Sequence, residues 1–338
     1  MQGSKTKSVI QFIILLSIGV LLIWLSLRQV APEKDNILKA FSEANYFWVF
    51  VSLLIAFFSH FLRAYRWNYL LEPLGYKTKL LNANCHVMVG YFANYGIPRM
   101  GEITRCTLAA KYDKVPFEVA LGTVITERIV DFFIFIIIFV VTLFVQFNEL
   151  IGLANELIFD KISSSFSGLM NKPILLGLIL FFGIGLVAVF FLFRKKIAAK
   201  LKGKFGKVIL GMLNGLSSVR KTKNPIQFII LSLLIWASYF YSLYFCFFAI
   251  DGTSHLGQKE CLSLLLFGTL GVIFAPGGLG AYPFILYTIL SGTYGVEDAP
   301  AFALPWLSWT GQFVLILVLG ILSLLILPLY NKNKDVVQ

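Results

Sequence analysis

The chain has 338 residues, of which 58% are hydrophobic and 14% charged, with a mean hydropathy of +0.81. A soluble domain carries about 25% charged residues, so this composition excludes an ordinary water-soluble fold. The net charge of +12 reads as Lys and Arg gathered in cytoplasmic loops and near anionic headgroups, and no nucleic-acid partner is expected.

Thirty-three Phe and few sustained period-2 runs predict an all-α polytopic helix bundle and not a membrane barrel. Lys5 and Lys7 precede an apolar run at 9–27. It is too long for a signal-peptide core and has no small-residue cleavage site, so it reads as an uncleaved first span. Six segments are long enough to span: about 8–28, 46–65, 120–147, 173–193, 226–250 and 302–329. The chain reads as one integral membrane domain over 1–330, followed by a short cytoplasmic tail at 331–338.

Two further apolar stretches are broken. The first, about 82–118, breaks at "GIPRMG", and the second, about 260–293, breaks at "APGGLGAYP". Pro removes a backbone donor and Gly weakens a helix, so each stretch predicts two short helices meeting at a tip as a re-entrant hairpin. Irregular backbone at membrane depth is tolerated where it is buried in protein or lines a wet cavity. The breaks therefore point toward function.

Loop charge sets the orientation. The 194–225 connection holds ten Lys or Arg and no acid, which places it in the cytoplasm. Loop 148–172 carries Glu149, Glu156 and Asp160 against Lys161 and Lys172 and falls outside. Both termini then lie inside, as does the 66–80 connection with Arg66, Lys77 and Lys79. Three spans separate the two hairpins, so they enter from opposite faces. "GYFANYGIP" at 90–98 also matches "GTLGVIFAP" at 268–276 in Gly-to-Pro spacing. Each half reads span, span, hairpin, span, suggesting inverted repeats over about 1–150 and 170–330 with a site near the midplane.

Other residues have plainer readings. Segment 196–219 reads as a basic amphipathic helix on the inner leaflet or as a solvated basic loop. Trp48, Trp306 and Trp309 fall near outer interfaces and Trp67 near the inner one, as an aromatic belt would place them. Cys85, Cys106, Cys246 and Cys261 lack regular spacing and read as free, mostly buried thiols. His60, His86 and His255 show no metal-ligand spacing, and no metal or cofactor is expected.

The informative charges lie within apolar surroundings. Glu127 and Asp131 are four apart on one helix face, with Arg128 adjacent. They form either a snorkelling interfacial cluster or carboxylates paired across helices with Arg128 or Arg99, and contact with Arg105 is plausible from the spacing. At the first tip Pro98 ends one half-helix, and Gly101 and Glu102 open the next. A helix N-terminus there could hold a phosphate, or Glu102 could occupy it. At Gly278 and Gly280, bare amides would face the site. Either these groups hold a headgroup, or the Gly and Pro only shape the turns and the charges satisfy one another. No catalytic constellation is present in the sequence.

Asn94, Pro98, Arg99, Gly101, Glu102 and Arg105, then Glu127, Arg128 and Asp131, then Pro276, Gly277, Gly278 and Gly280 together resemble a flippase-like family. That family includes the transmembrane region of lysylphosphatidylglycerol synthases, and the resemblance covers nearly the whole chain. It implies a multi-pass bacterial inner-membrane protein that moves an anionic, aminoacylated or polyprenyl-linked lipid between leaflets, with these residues at its site. The synthases' cytoplasmic transferase domain has no counterpart in these residues, so synthase activity is not carried over and a non-enzyme is expected. Ala281, Tyr282 and Pro283 stand where many members carry an acid, which removes one basis for cation binding at the second hairpin. Two alternatives remain: a non-transporting partner of a separate lipid- or glycan-modifying enzyme, and a polyprenyl-lipid transferase using Glu102 or Asp131.

Overall fold

The computed structural model describes residues 16–17, 19–96, 100–146, 222 and 224–332. The expected span at 173–193, the 148–172 loop, the 196–219 segment, most of the basic connection and most of the tail lie outside these residues. Every regular element among the described residues is helical. Chain order gives α1 (Gly19–Gln29), α2 (Lys34–Ser42), α3 (Tyr46–Leu71), α4 (Leu80–Gly96), α5 (Met100–Asp113) and α6 (Phe117–Val145). After the undescribed stretch come α7 (Pro225–Cys246), α8 (Gln258–Phe274), α9 (Ala281–Gly292) and α10 (Asp298–Asn331).

Four helical segments are long and apolar enough to cross a membrane: Tyr46–Leu74, Phe117–Val145, Pro225–Ala249 and Asp298–Asn331. They match four of the six expected spans, with one shift of consequence. Asn45 starts α3 by accepting from the Phe47 amide at 3.2 Å, and the helix runs past residue 65 to Leu71. Arg66 and Trp67 therefore sit inside the helix, both fully buried, and not in a cytoplasmic connection. Outward faces carry residues such as Phe132, Ile137 and Phe144 on α6 and Leu325 and Leu329 on α10.

Both expected breaks are present. The pair α4 and α5 flanks one and the pair α8 and α9 the other. At about 1.5 Å per residue, none of these four helices reaches across a ~30 Å hydrocarbon core by itself. Gly90 and Gly101 let α4 and α5 touch backbone to backbone, since a Cβ on Gly101 would run into the Gly90 carbonyl. In the second pair Gly271 has that role, with the backbone of Tyr282 against it.

Side-chain pairs show how the halves meet. Ser52 lies 3.1 Å from Ser242 and Tyr69 donates to Gln227 at 2.9 Å, so α3 and α7 run antiparallel. Asn82 bonds Asn331, and Phe92 packs on Gly320, so α4 and α10 are antiparallel too. Correspondingly α8 meets the end of α6, where Ser263 donates to Gln146. The two largest apolar clusters each centre on one half, although Val30, Ile37 and Ala44 of the first half join the second. One gathers Ala64, Trp67, Leu71, Val87, Cys106 and Val124, and the other Phe247, Leu264, Leu286, Leu290, Phe302 and Leu304.

Candidate functional site

Three helices of the first half bring charge into a buried place. Helix α3 supplies Arg63 and Arg66, three residues apart on one face. Helix α6 runs antiparallel beside it, so Asp131 meets Arg63 and Glu127 reaches toward Arg66. Arg63 Nη1 lies 2.8 Å from Asp131 Oδ2, and Arg66 Nη1 lies 2.9 Å from Asp131 Oδ1. Arg66 Nε stands 3.5 Å from Glu127 Oε1. Helix α5 adds Arg105, whose Nη1 donates to Glu127 Oε2 at 2.6 Å. All five side chains are buried.

Neutral groups complete the network and tie in the second half. Arg66 donates to Ser232 at 2.8 Å and Arg63 to the Tyr239 hydroxyl at 3.1 Å, both on α7. The Arg105 guanidinium lies 3.9 Å from the Trp67 ring centre, a cation–π contact that is strongest when water is excluded. Trp67 Nε1 is held by Thr123 at 2.8 Å. Trp67 thus orients a buried cation and is not an interfacial belt residue.

Three guanidiniums here face two carboxylates, an excess of one positive charge. Burying an unmatched ion is costly, so this excess is the unusual property of the site. Arg105 Nε and Nη2 find no hydrogen-bond partner among the described residues, as is also true of Arg66 Nε and Nη2 and of Arg63 Nε; of the two arginines with a pair of such nitrogens, Arg105 lines a cavity. Arg105 lines a small cavity together with Arg63, Tyr91, Asn94, Glu102 and Arg128. Its space for water centres is about 10 Å³, room for about one water molecule. At the rim Arg128 Nη2 lies 3.0 Å from Glu102 Oε1, and this pair is partly exposed.

The expected site residues divide clearly. Asn94, Gly101, Glu102, Arg105 and Arg128 line the cavity, and Glu127 and Asp131 lie behind it. Pro98 and Arg99 lie outside the described residues. Asn94 Oδ1 accepts from the Gly101 amide at 2.7 Å, so it caps the new helix. Arg128, which reads from the sequence either as a snorkelling interfacial charge or as a partner of Glu127 and Asp131, pairs with Glu102. It stands about 100° around α6 from Glu127, which turns it toward Glu102 near the start of α5.

Pro276, Gly277, Gly278 and Gly280 form the second break, where all three glycines have positive φ. The expectation of bare amides there is corrected at Gly278, whose N–H bonds Ala275 O at 2.9 Å, and at Leu279, which bonds Pro276 O at 3.2 Å. Trp309 Nε1 donates to Gly277 O at 2.8 Å, so it braces this tip. The Tyr95 ring from the end of α4 packs against Gly277. The two breaks, distant in sequence, touch.

Arg63, Ser232 and Tyr239 were not anticipated, and Arg66 was misplaced. One signal was available: Arg63 and Arg66 lie within a continuous apolar helix, spaced to match the Glu127–Asp131 face. Ser232 and Tyr239, seven apart in α7, carry no charge that would single them out.

The arrangement, an integral bundle of apolar helices with a break in each half and charge gathered beside the first, is consistent with the comparisons. The family model described as "Lysylphosphatidylglycerol synthase TM region" matches residues 9–320. The UPF0104 membrane protein MJ1595 of Methanocaldococcus jannaschii is 29% identical over 116 residues, covering 33% of this chain and 34% of that protein. The aligned part is thus about a third of the relative's length. No solved structure matches. With nearly its whole length matched, the chain belongs to the family of the lysylphosphatidylglycerol synthase transmembrane region.

Proposed function

We propose that this protein moves a lipid with a charged headgroup between the leaflets of a bacterial inner membrane, without covalent chemistry of its own. The headgroup enters the cavity between α3, α4, α5 and α6 while the acyl chains stay in lipid. The observation that carries this reading is Arg105: a buried guanidinium, two of whose nitrogens have no hydrogen-bond partner among the described residues, lining a cavity with Glu102 and Arg128 inside an apolar bundle. Buried ionisable groups in membrane helices mark pathways by default. In this reading the broken pairs are re-entrant hairpins, the halves form an inverted repeat, and both termini are cytoplasmic. The antiparallel α3–α7 pairing and the touching tips support it.

The test is lipid translocation in proteoliposomes, followed with a headgroup-labelled lipid for wild type and Arg128→Gln. Arg128 is partly exposed, so the variant folds; transport falls at least tenfold. Equal transport in both removes the cavity from the pathway. No transport by the pure wild type, together with a co-purifying lipid- or glycan-modifying enzyme, replaces this reading with that of a non-transporting partner.

A further inference from the structure

Among the described residues lining the cavity, Glu102 is the one acid, against three arginines. The acids behind the cavity are committed: Asp131 to Arg63 and Arg66, and Glu127 to Arg105 and Arg66. Glu102 differs. It holds Arg128 at the partly exposed rim, with side chains 27% and 44% accessible. A partly exposed pair of this kind is weak, whereas a tetrahedral anion reaching two guanidiniums makes several charge-assisted hydrogen bonds. The cavity has room for about one water, so a larger group needs a lining side chain to move, and Glu102, at the partly exposed rim, is placed to do so. Gly101, at the start of α5, also lines it, but its N–H is already taken by Asn94, so the arginines supply the donors.

We propose that this cavity is a phosphate-ester site in which Glu102 is a resident counter-ion. The incoming phosphate takes Arg128 from Glu102 and also meets the unpartnered nitrogens of Arg105. Exchange of one anion for another keeps the local charge balanced throughout, and vacating the carboxylate makes the room the phosphate needs. The inference rests on the transport reading only for the source of the phosphate, a lipid headgroup.

The test is calorimetric binding to the purified full chain in detergent, with two probes: sodium phosphate and dioctanoyl phosphatidylglycerol. Glu102→Gln removes the competing anion and tightens both by about two- to fivefold, the factor a partly exposed ion pair is worth. Arg128→Gln weakens both by about tenfold. Size-exclusion profiles establish that both variants fold. If Glu102 and Arg128 only brace the helices, the two variants lower the melting temperature alike and leave binding unchanged, which overturns the proposal. Weaker binding in Glu102→Gln also overturns it, as does no binding of either probe to wild type or Glu102→Gln. Phosphate binding without lipid binding overturns the lipid source and keeps the exchange. Exchange without translocation in proteoliposomes overturns the transport reading alone.

Discussion

Arg105 Nη1 lies 2.6 Å from Glu127 Oε2, with both side chains buried. The pair links α5 to α6 behind the cavity that Arg105 lines. Removing one partner strands the other charge, which costs about 3–5 kcal/mol. Arg105→Ala is therefore expected to lower unfolding stability in detergent by that amount, eased slightly because Arg66 still stands near Glu127. Arg105→Met with Glu127→Met recovers most of the loss, since two apolar side chains replace a buried ion pair at little net cost. Lipid translocation does not return in the double variant. Recovery of transport with stability would place the pair outside the pathway.

Asp131 bridges Arg63 and Arg66, each within 2.9 Å. Asp131→Asn leaves two buried guanidiniums short of charge, and denaturant unfolding is expected to register a loss of about 3 kcal/mol or more. Glu102→Gln, at the rim, loses only about 0–1 kcal/mol. Comparable losses in the two variants would contradict the difference in burial assigned here.

Gly277 has φ 58° and lies against the Tyr95 ring. Gly277→Ala meets two separate penalties: a left-handed backbone, about 1–2 kcal/mol for a residue with a Cβ, and a clash with that ring. Adding Tyr95→Ala should relieve the second and leave the first. A double-mutant cycle on thermal stability measures the split. Full rescue by Tyr95→Ala would show that the backbone conformation is unimportant.

The four cysteines are free and buried. In intact membranes they are expected to resist maleimide until the protein is unfolded, giving a low labelling background. A cysteine at Lys332, an exposed position after α10, should then react only from the cytoplasmic face. Reaction from the opposite face would reverse the orientation derived from loop charge.

Much of the architecture was legible because its causes are local. Long apolar runs become helices, and Pro-Gly-rich tips interrupt them whatever surrounds them. Glu127 and Asp131 share a face because four residues make about one helical turn. Their candidacy, and that of Glu102 and Arg105, could be read directly for that reason.

Partner choice could not be read this way. Arg66 looked like the start of a cytoplasmic loop because charge normally ends a span, yet α3 continues through it to Leu71. Only the antiparallel packing of α3 against α6 and α7 supplies Asp131, Glu127 and Ser232 to compensate its burial. Likewise nothing near Tyr95 in the sequence indicates Gly277. The sequence by itself determined a helical membrane protein with two broken segments and misplaced charge. The tertiary structure alone decided which charges neutralise each other and which guanidinium lines the cavity, because ion pairing depends on distances between helices far apart in the chain.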